Sequence, residues 1–276
     1  MKPEAAIVHI APSRGWRALN LGELWPFREL LAILVWRDLK VRYRQTILGA
    51  AWILGQPLLT MLIFTFIFNR LAKIDSGSVV PYEIFVLTGL LPWNFFVAAV
   101  QNSGNSLIGN THLISKVYFP RLLVPTSAIL AALVDLAVCC LLLAVMLIWF
   151  GIPIVTNIVV LPAVIVLACG LSLGMGLWLS ALNVEYRDIR VVMPFLLQMW
   201  MFATPVIYPL HLLPERYQLL ALLNPMTGVV EAFRWCLIGT PLPANALAFS
   251  ITAMLGLLLS GAFYFRRMER RFVDLL

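Results

Sequence analysis

From Leu122 to Val184 the chain carries a single charged side chain, Asp135. A helix that crosses a bilayer needs about 20 mostly apolar residues, so this stretch is far too long for one crossing and long enough for two with a turn between them. Gly151-Ile152-Pro153 supplies the break, because glycine allows a turn and proline cannot continue a helix. The rest of the chain has the same character. Of its 276 residues, 62% are hydrophobic and 12% are charged, against roughly 45–50% and 25% in soluble domains. An ordinary soluble enzyme, a disordered chain and a disulfide scaffold are excluded. A polytopic membrane protein of the all-α class remains.

The charge-free runs predict six spans, at residues 48–69, 84–115 (with an apolar core over 84–100), 122–150, 154–182, 191–208 and 246–265. The chain then divides into an N-terminal segment, 1–47, a transmembrane domain, 48–266, and a short tail, 267–276. Basic residues orient it. The segment up to Arg44 carries eight Lys/Arg, the connections after the second and fourth spans carry two each (Lys116, Arg121; Arg187, Arg190), and the tail carries four. The opposite side has only Arg70, Lys73, Arg216 and Arg234. Sixteen against four places both termini in the cytoplasm. The only apolar run before Trp16 is residues 5–8, too short for the core of a cleavable signal.

Two segments are neither spans nor simple loops. Residues 24–44 combine apolar Phe27, Leu30, Leu31 and Leu34 at helical spacing with a dense basic end. A helix lying along the membrane interface fits, whether it does more or only anchors the chain. Residues 209–245 are apolar but punctuated by five prolines. Asn224-Pro225 reads as a helix cap followed by proline at the first helical position, and Glu231 and Arg234 stand three apart on one face. Two short re-entrant helices are expected there.

The chemistry of hydrolysis is missing from the pattern. There is no phosphate-binding GxxxxGK[ST] and no HExxH. His9, His112 and His211 are dispersed, and Cys139, Cys140, Cys169 and Cys236 form no CxxC. No metal site is expected. Asp135 is the only acidic residue well inside a span, and such residues are functional candidates by default. It reads either as a structural partner hydrogen-bonded between helices or as a transport carboxylate. A pathway with so little ionisable chemistry draws its energy from another subunit.

Three separated motifs then become specific. Arg37-Asp38-Leu39-Lys40-Val41-Arg42-Tyr43-Arg44-Gln45-Thr46-Ile47-Leu48-Gly49 precedes a span with Trp52 and Gln56-Pro57-Leu58. Leu182-Asn183-Val184-Glu185-Tyr186-Arg187-Asp188-Ile189-Arg190 is followed by Pro194 and Thr204-Pro205-Val206-Ile207-Tyr208-Pro209. Leu223-Asn224-Pro225-Met226 comes last, with Glu231 and Arg234. The series resembles the ABC-2-type permeases of bacterial polysaccharide exporters, which serve O-antigen, capsule and teichoic acid export, over nearly the whole chain from residue 24 to 267.

The resemblance implies a homodimeric permease of the inner membrane. Each copy would bind one cytoplasmic ATPase, and that partner would hold the ATP and Mg while this chain holds no cofactor and is not itself an enzyme. The cargo would be a polysaccharide on undecaprenyl diphosphate. The interface helix would carry Arg37, Lys40, Arg42 and Arg44. The ATPase would be met by Asn105, His112, Ser115, Lys116, Tyr118 and Arg121, and again by Tyr186, Arg187 and Asp188. Asn224, Pro225, Glu231 and Arg234 would belong to outer gate helices. A permease for a smaller lipid or drug shares this plan. A membrane scaffold without a pathway is the alternative of a different class.

Sugars present apolar C–H faces as well as hydroxyls, so a sliding polymer suits aromatic walls. Trp52, Phe64, Phe66, Phe68, Trp93, Phe95, Phe96, Trp200, Phe202 and Tyr208 lie on three expected spans. The competing reading is that such rings belt the membrane interface or pack in cores. Ala168, Ser172, Gly176 and Ser180, with Gly170 and Gly174, form small-residue stripes that allow close helix approach, within the chain or between copies.

Overall fold

The structure is a computed structural model that describes residues 25–43, 51–73, 77, 80–117, 119–153, 155–186, 188–269 and 272. His9, Arg44, Tyr118, Arg187 and the boundary expected at residues 47 and 48 lie outside the described residues. Among the described residues every regular element is helical. A 3₁₀ turn, Trp25–Phe27, leads into α1, Arg28–Tyr43. Then come α2, Ala51–Phe64, continued by a π-helical stretch, Thr65–Leu71; α3, Tyr82–Gly109; and the short α4, Thr111–Lys116. After them follow α5, Leu123–Trp149; α6, Leu161–Glu185; α7, Ile189–Ala203; α8, Glu215–Leu222; α9, Pro225–Ile238; and α10, Ala244–Glu269.

The break at residues 151–153 is real and its cause is visible. Gly151 sits at φ 65°, a left-handed conformation that ends α5 two residues after Trp149. Helix α6 resumes later than expected, after a 3₁₀ turn at Thr156–Val160, with Pro162 in its first turn. The expected run 84–115 is also two elements, because the helix stops at Gly109 and the chain turns into α4.

Five helices among the described residues are long and apolar enough to cross a membrane: α2 with its π extension, α3, α5, α6 with its 3₁₀ lead, and α10. The expected fifth span, 191–208, falls short. Helix α7 has 15 residues, about 22 Å of rise against a hydrocarbon core of about 30 Å. It ends because Pro205 lacks an N–H and disfavours helical backbone at Thr204, which is extended.

Helix α3 is the hub. In its most apolar stretch 78% of residues are buried, against 17–33% in the other four long helices, whose outer faces remain free. Around α3 pack α2, α5, α6, α7 and α9, while α10 lies against α6 and α9 and α1 lies against α5. The small-residue stripes serve this packing. A side chain at Gly174 would strike the Leu257 backbone of α10 and one at Gly176 would strike Ser103 of α3, so these positions let helices of the same chain touch. All four cysteines are free.

Candidate functional site

Helix α3 turns one hydrophilic face out of an otherwise apolar sequence. Asn94, Gln101 and Asn102 recur at i, i+7 and i+8, the spacing of one helix face. That face looks across a cavity of about 760 Å³ toward α2 and α5. Trp52 and Gln56 of α2 and Phe95 of α3 also line it. The side-chain amides of Gln56, Asn94, Gln101 and Asn102 make no hydrogen bond to any other described residue. Pro57 shapes the α2 wall. It cannot donate to the Ile53 carbonyl one turn earlier, and the Cys139 thiol of α5 donates there instead, at 3.5 Å.

At one end the cavity meets α1. Arg42 pairs with Asp135, and the Tyr43 hydroxyl donates to the other Asp135 oxygen. Four residues earlier, Asp38 accepts from Ser127 of α5 at 3.3 Å and from Arg37 at 2.7 Å. Two carboxylate contacts therefore fasten α1 along α5. Asp135 joins α5 to α1. Burial first, and then the hydrogen bond to Asp135, push the Tyr43 phenol up to about 12, which keeps it a neutral donor.

The other end of the bundle holds a second polar constellation. Arg234 of α9 is completely buried. It donates to the Pro205 and Val206 carbonyls at 2.7 and 2.6 Å and to Glu231 at 2.8 Å, and its guanidinium lies 3.7 Å from the Phe85 ring centroid. Gly89 makes the room, since a Cβ there would stand 2.6 Å from the guanidinium. Arg234 thus supplies the donors that the unwound segment after α7 cannot find in a helix. The Tyr82 hydroxyl does the same for the Ile207 carbonyl at 2.6 Å. Beside them Asn224 caps α9 as its sequence suggests, accepting from Met226 N–H at 3.0 Å ahead of Pro225. It also accepts from the Trp200 indole at 3.0 Å and donates to the Thr204 hydroxyl at 2.8 Å. Of the four residues expected at a gate, Asn224 and Arg234 bind the end of α7 to α9, Glu231 pairs with Arg234, and the Pro225 carbonyl accepts from Ser250 of α10.

The ten aromatic residues expected on one path do not share one surface. Trp200 meets Trp93 and Phe96 edge to face, the three ring centroids lie 5.4–6.3 Å apart, and Trp93 and Phe96 are fully buried in the core. Phe64 and Phe68 pack edge to face and are half-buried. Tyr208 is tied to the Phe202 carbonyl at 3.0 Å. Phe66 and Phe202 are exposed, and Trp52 and Phe95 reach the cavity.

The residues expected to meet an ATPase also divide. His112, Ser115 and Lys116 are exposed on α4, and Tyr186 and Asp188 are exposed at the turn between α6 and α7. Asn105 and Arg121 are engaged within the chain. Asn105 donates to the Gln101 carbonyl and accepts from the buried Asn183 at 3.1 Å. Arg121 donates to the Glu269 carbonyl and lies over the Phe272 ring. The cavity amides Asn94, Gln101 and Asn102 were absent from the expected site residues. Their signal in the sequence is the recurrence of carboxamides at helical spacing inside an apolar run.

Residues 29–238 match the family described as ABC-2 type transporter. An O-antigen export system permease protein RfbA of Myxococcus xanthus is 31% identical over 77% of this chain and 81% of its own length. One of the same name from Klebsiella pneumoniae is 28% identical over 93% of this chain and 97% of its own length. A polysialic acid transport protein KpsM of Escherichia coli is 28% identical over 72% of this chain and 77% of its own length. With more than half of its length matched to one transporter domain and a helical membrane bundle to hold it, the chain belongs to the ABC-2 type transporter family.

Proposed function

We propose that this chain is the permease subunit of an ATP-driven exporter that carries lipid-linked polysaccharide outward across the cytoplasmic membrane. Similarity over 93% of the chain to a relative named as an O-antigen export permease carries the reading. Two copies form the pathway, because one chain makes a narrow bundle around α3. Two copies of a cytoplasmic ATPase, which bind ATP and Mg, supply the energy; this chain is not itself an enzyme. Both termini, α4 and the turn at Tyr186 and Asp188 face the cytoplasm, and the exposed His112, Ser115 and Lys116 suit a protein contact there. The α8–α9 pair faces outward, and the Arg234 and Asn224 networks hold it to α7. Trp52, Phe66 and Phe202 are the rings available to a sliding chain, and Trp93, Phe95, Phe96 and Trp200 support them from the core.

Deleting the gene in its own host tests this. Undecaprenyl-linked polymer is expected to accumulate on the cytoplasmic side, and a plasmid copy is expected to return it to the surface. Unchanged surface polymer in the deletion strain would overturn the reading.

A further inference from the structure

The cavity between α2, α3 and α5 presents an unusual balance of groups for membrane depth. Its four carboxamides, from Gln56, Asn94, Gln101 and Asn102, have no partner among the described residues, and each offers both donors and an acceptor. In the isolated chain Gln56 is exposed and the other three are half-buried; within a bilayer such groups need water or a ligand to complete them. The cavity's volume falls in the range of roughly 300–1,000 Å³ typical of small-molecule sites. Trp52 and Phe95 add flat apolar faces beside the amides.

Charge narrows the choice. The ionised groups at the cavity are Arg42 and Asp135, already paired with each other, and Tyr43 is a neutral donor to the same carboxylate. A diphosphate needs free guanidinium or ammonium groups to replace its hydration, and none lines this space among the described residues. Hydroxyl groups need what is there: amides that donate and accept, and rings against which C–H faces can lie.

We infer that this cavity is a subsite for an uncharged, hydroxyl-bearing sugar unit of the transported chain. The inference rests on the proposed export function and names one place where the polymer touches a single copy of the permease. Among the described residues the Arg42–Asp135 pair at its end leaves no net charge. The amides give several modest, interchangeable hydrogen bonds, strong enough to admit a sugar and weak enough to release it.

The test uses the full chain with its ATPase in cells that make the polymer. A photo-reactive benzoylphenylalanine in place of Gln101 is compared with one in place of Val145, on the free face of α5. Capture of carbohydrate at 101 and not at 145, read by carbohydrate staining of the purified permease, is expected. Capture of phospholipid or polypeptide at 101 would overturn the subsite. In parallel, Asn94→Leu, Gln101→Leu and Asn102→Leu are combined, with Val145→Leu, on the free face of α5, as the control. Export per inserted molecule is expected to fall roughly tenfold or more in the triple variant, since several hydrogen bonds to the sugar are lost together. It is expected to stay near normal in the control, with membrane insertion equal in both. Normal export in the triple variant overturns the subsite and leaves the export function standing. Failure of the unaltered chain to restore export in the deletion strain overturns the function itself.

Discussion

Replacing Arg234 by methionine removes the one group that satisfies three acceptors at the α7–α9 junction. The Pro205 and Val206 carbonyls lose bonds of 2.7 and 2.6 Å, and Glu231, whose side chain is only 14% exposed, keeps its charge without its partner. Breaking a buried ion pair from one side costs about 3–5 kcal/mol. Each orphaned carbonyl adds about 1 kcal/mol or more. Arg234→Met should therefore cost ~5 kcal/mol, comparable to the whole stability of many domains. Arg234→Lys should fall between, because an ammonium keeps the charge but lacks the planar fork that reaches both carbonyls and the carboxylate. Adding Glu231→Gln to Arg234→Met should recover roughly half the loss, since the stranded charge is gone while the carbonyls remain unpaired. The assay is unfolding in mixed micelles, followed by circular dichroism as the SDS fraction rises. Midpoints that are equal for wild type and Arg234→Met, or a double variant no better than the single one, would refute the clamp.

Three further outcomes are expected. Tyr43, raised in the folded state from its ordinary value near 10 to about 12, contributes stability that is fully present below pH 10 and lost as pH rises through 12; between pH 10 and 12 the same unfolding assay should fall less steeply for Tyr43→Phe than for wild type. Trp93→Ala, at a fully buried ring, should destabilise the protein by about 3–5 kcal/mol, whereas Trp52→Ala at the exposed cavity wall should leave folding intact and lower export per inserted molecule; the reverse pattern would show that these rings have been assigned the wrong work. Cysteines at Ser115 on α4 and Leu219 on α8, both exposed, should be labelled by an impermeant maleimide only at 219 in intact cells, and labelling at 115 instead would invert the proposed topology.

Amino-acid order alone determined the solvent, the secondary structure and the punctuation of this protein. An uncharged run from Leu122 to Val184, interrupted only by Asp135, must be two helices in lipid, and Gly151 breaks it as its backbone freedom allows. Asn224-Pro225 caps α9 and Glu231 pairs with Arg234, because both interactions join residues within one turn and are written in local spacing. What joins distant segments was decided only by the fold. Arg42 and Asp135 look like a topology signal and a lone intramembrane acid until α1 lies along α5 and pairs them. Trp93 and Trp52 are equivalent as letters; one is core and the other faces a cavity because α3 is surrounded and α2 is not. The fifth apolar run looks long enough to cross, yet its last turn unwinds at Thr204, since Arg234 and Tyr82 from other helices supply the donors that make the unwound carbonyls tolerable. In lipid every polar group must find a partner. Sequence reveals which groups need one, and only the tertiary structure decides which residue provides it.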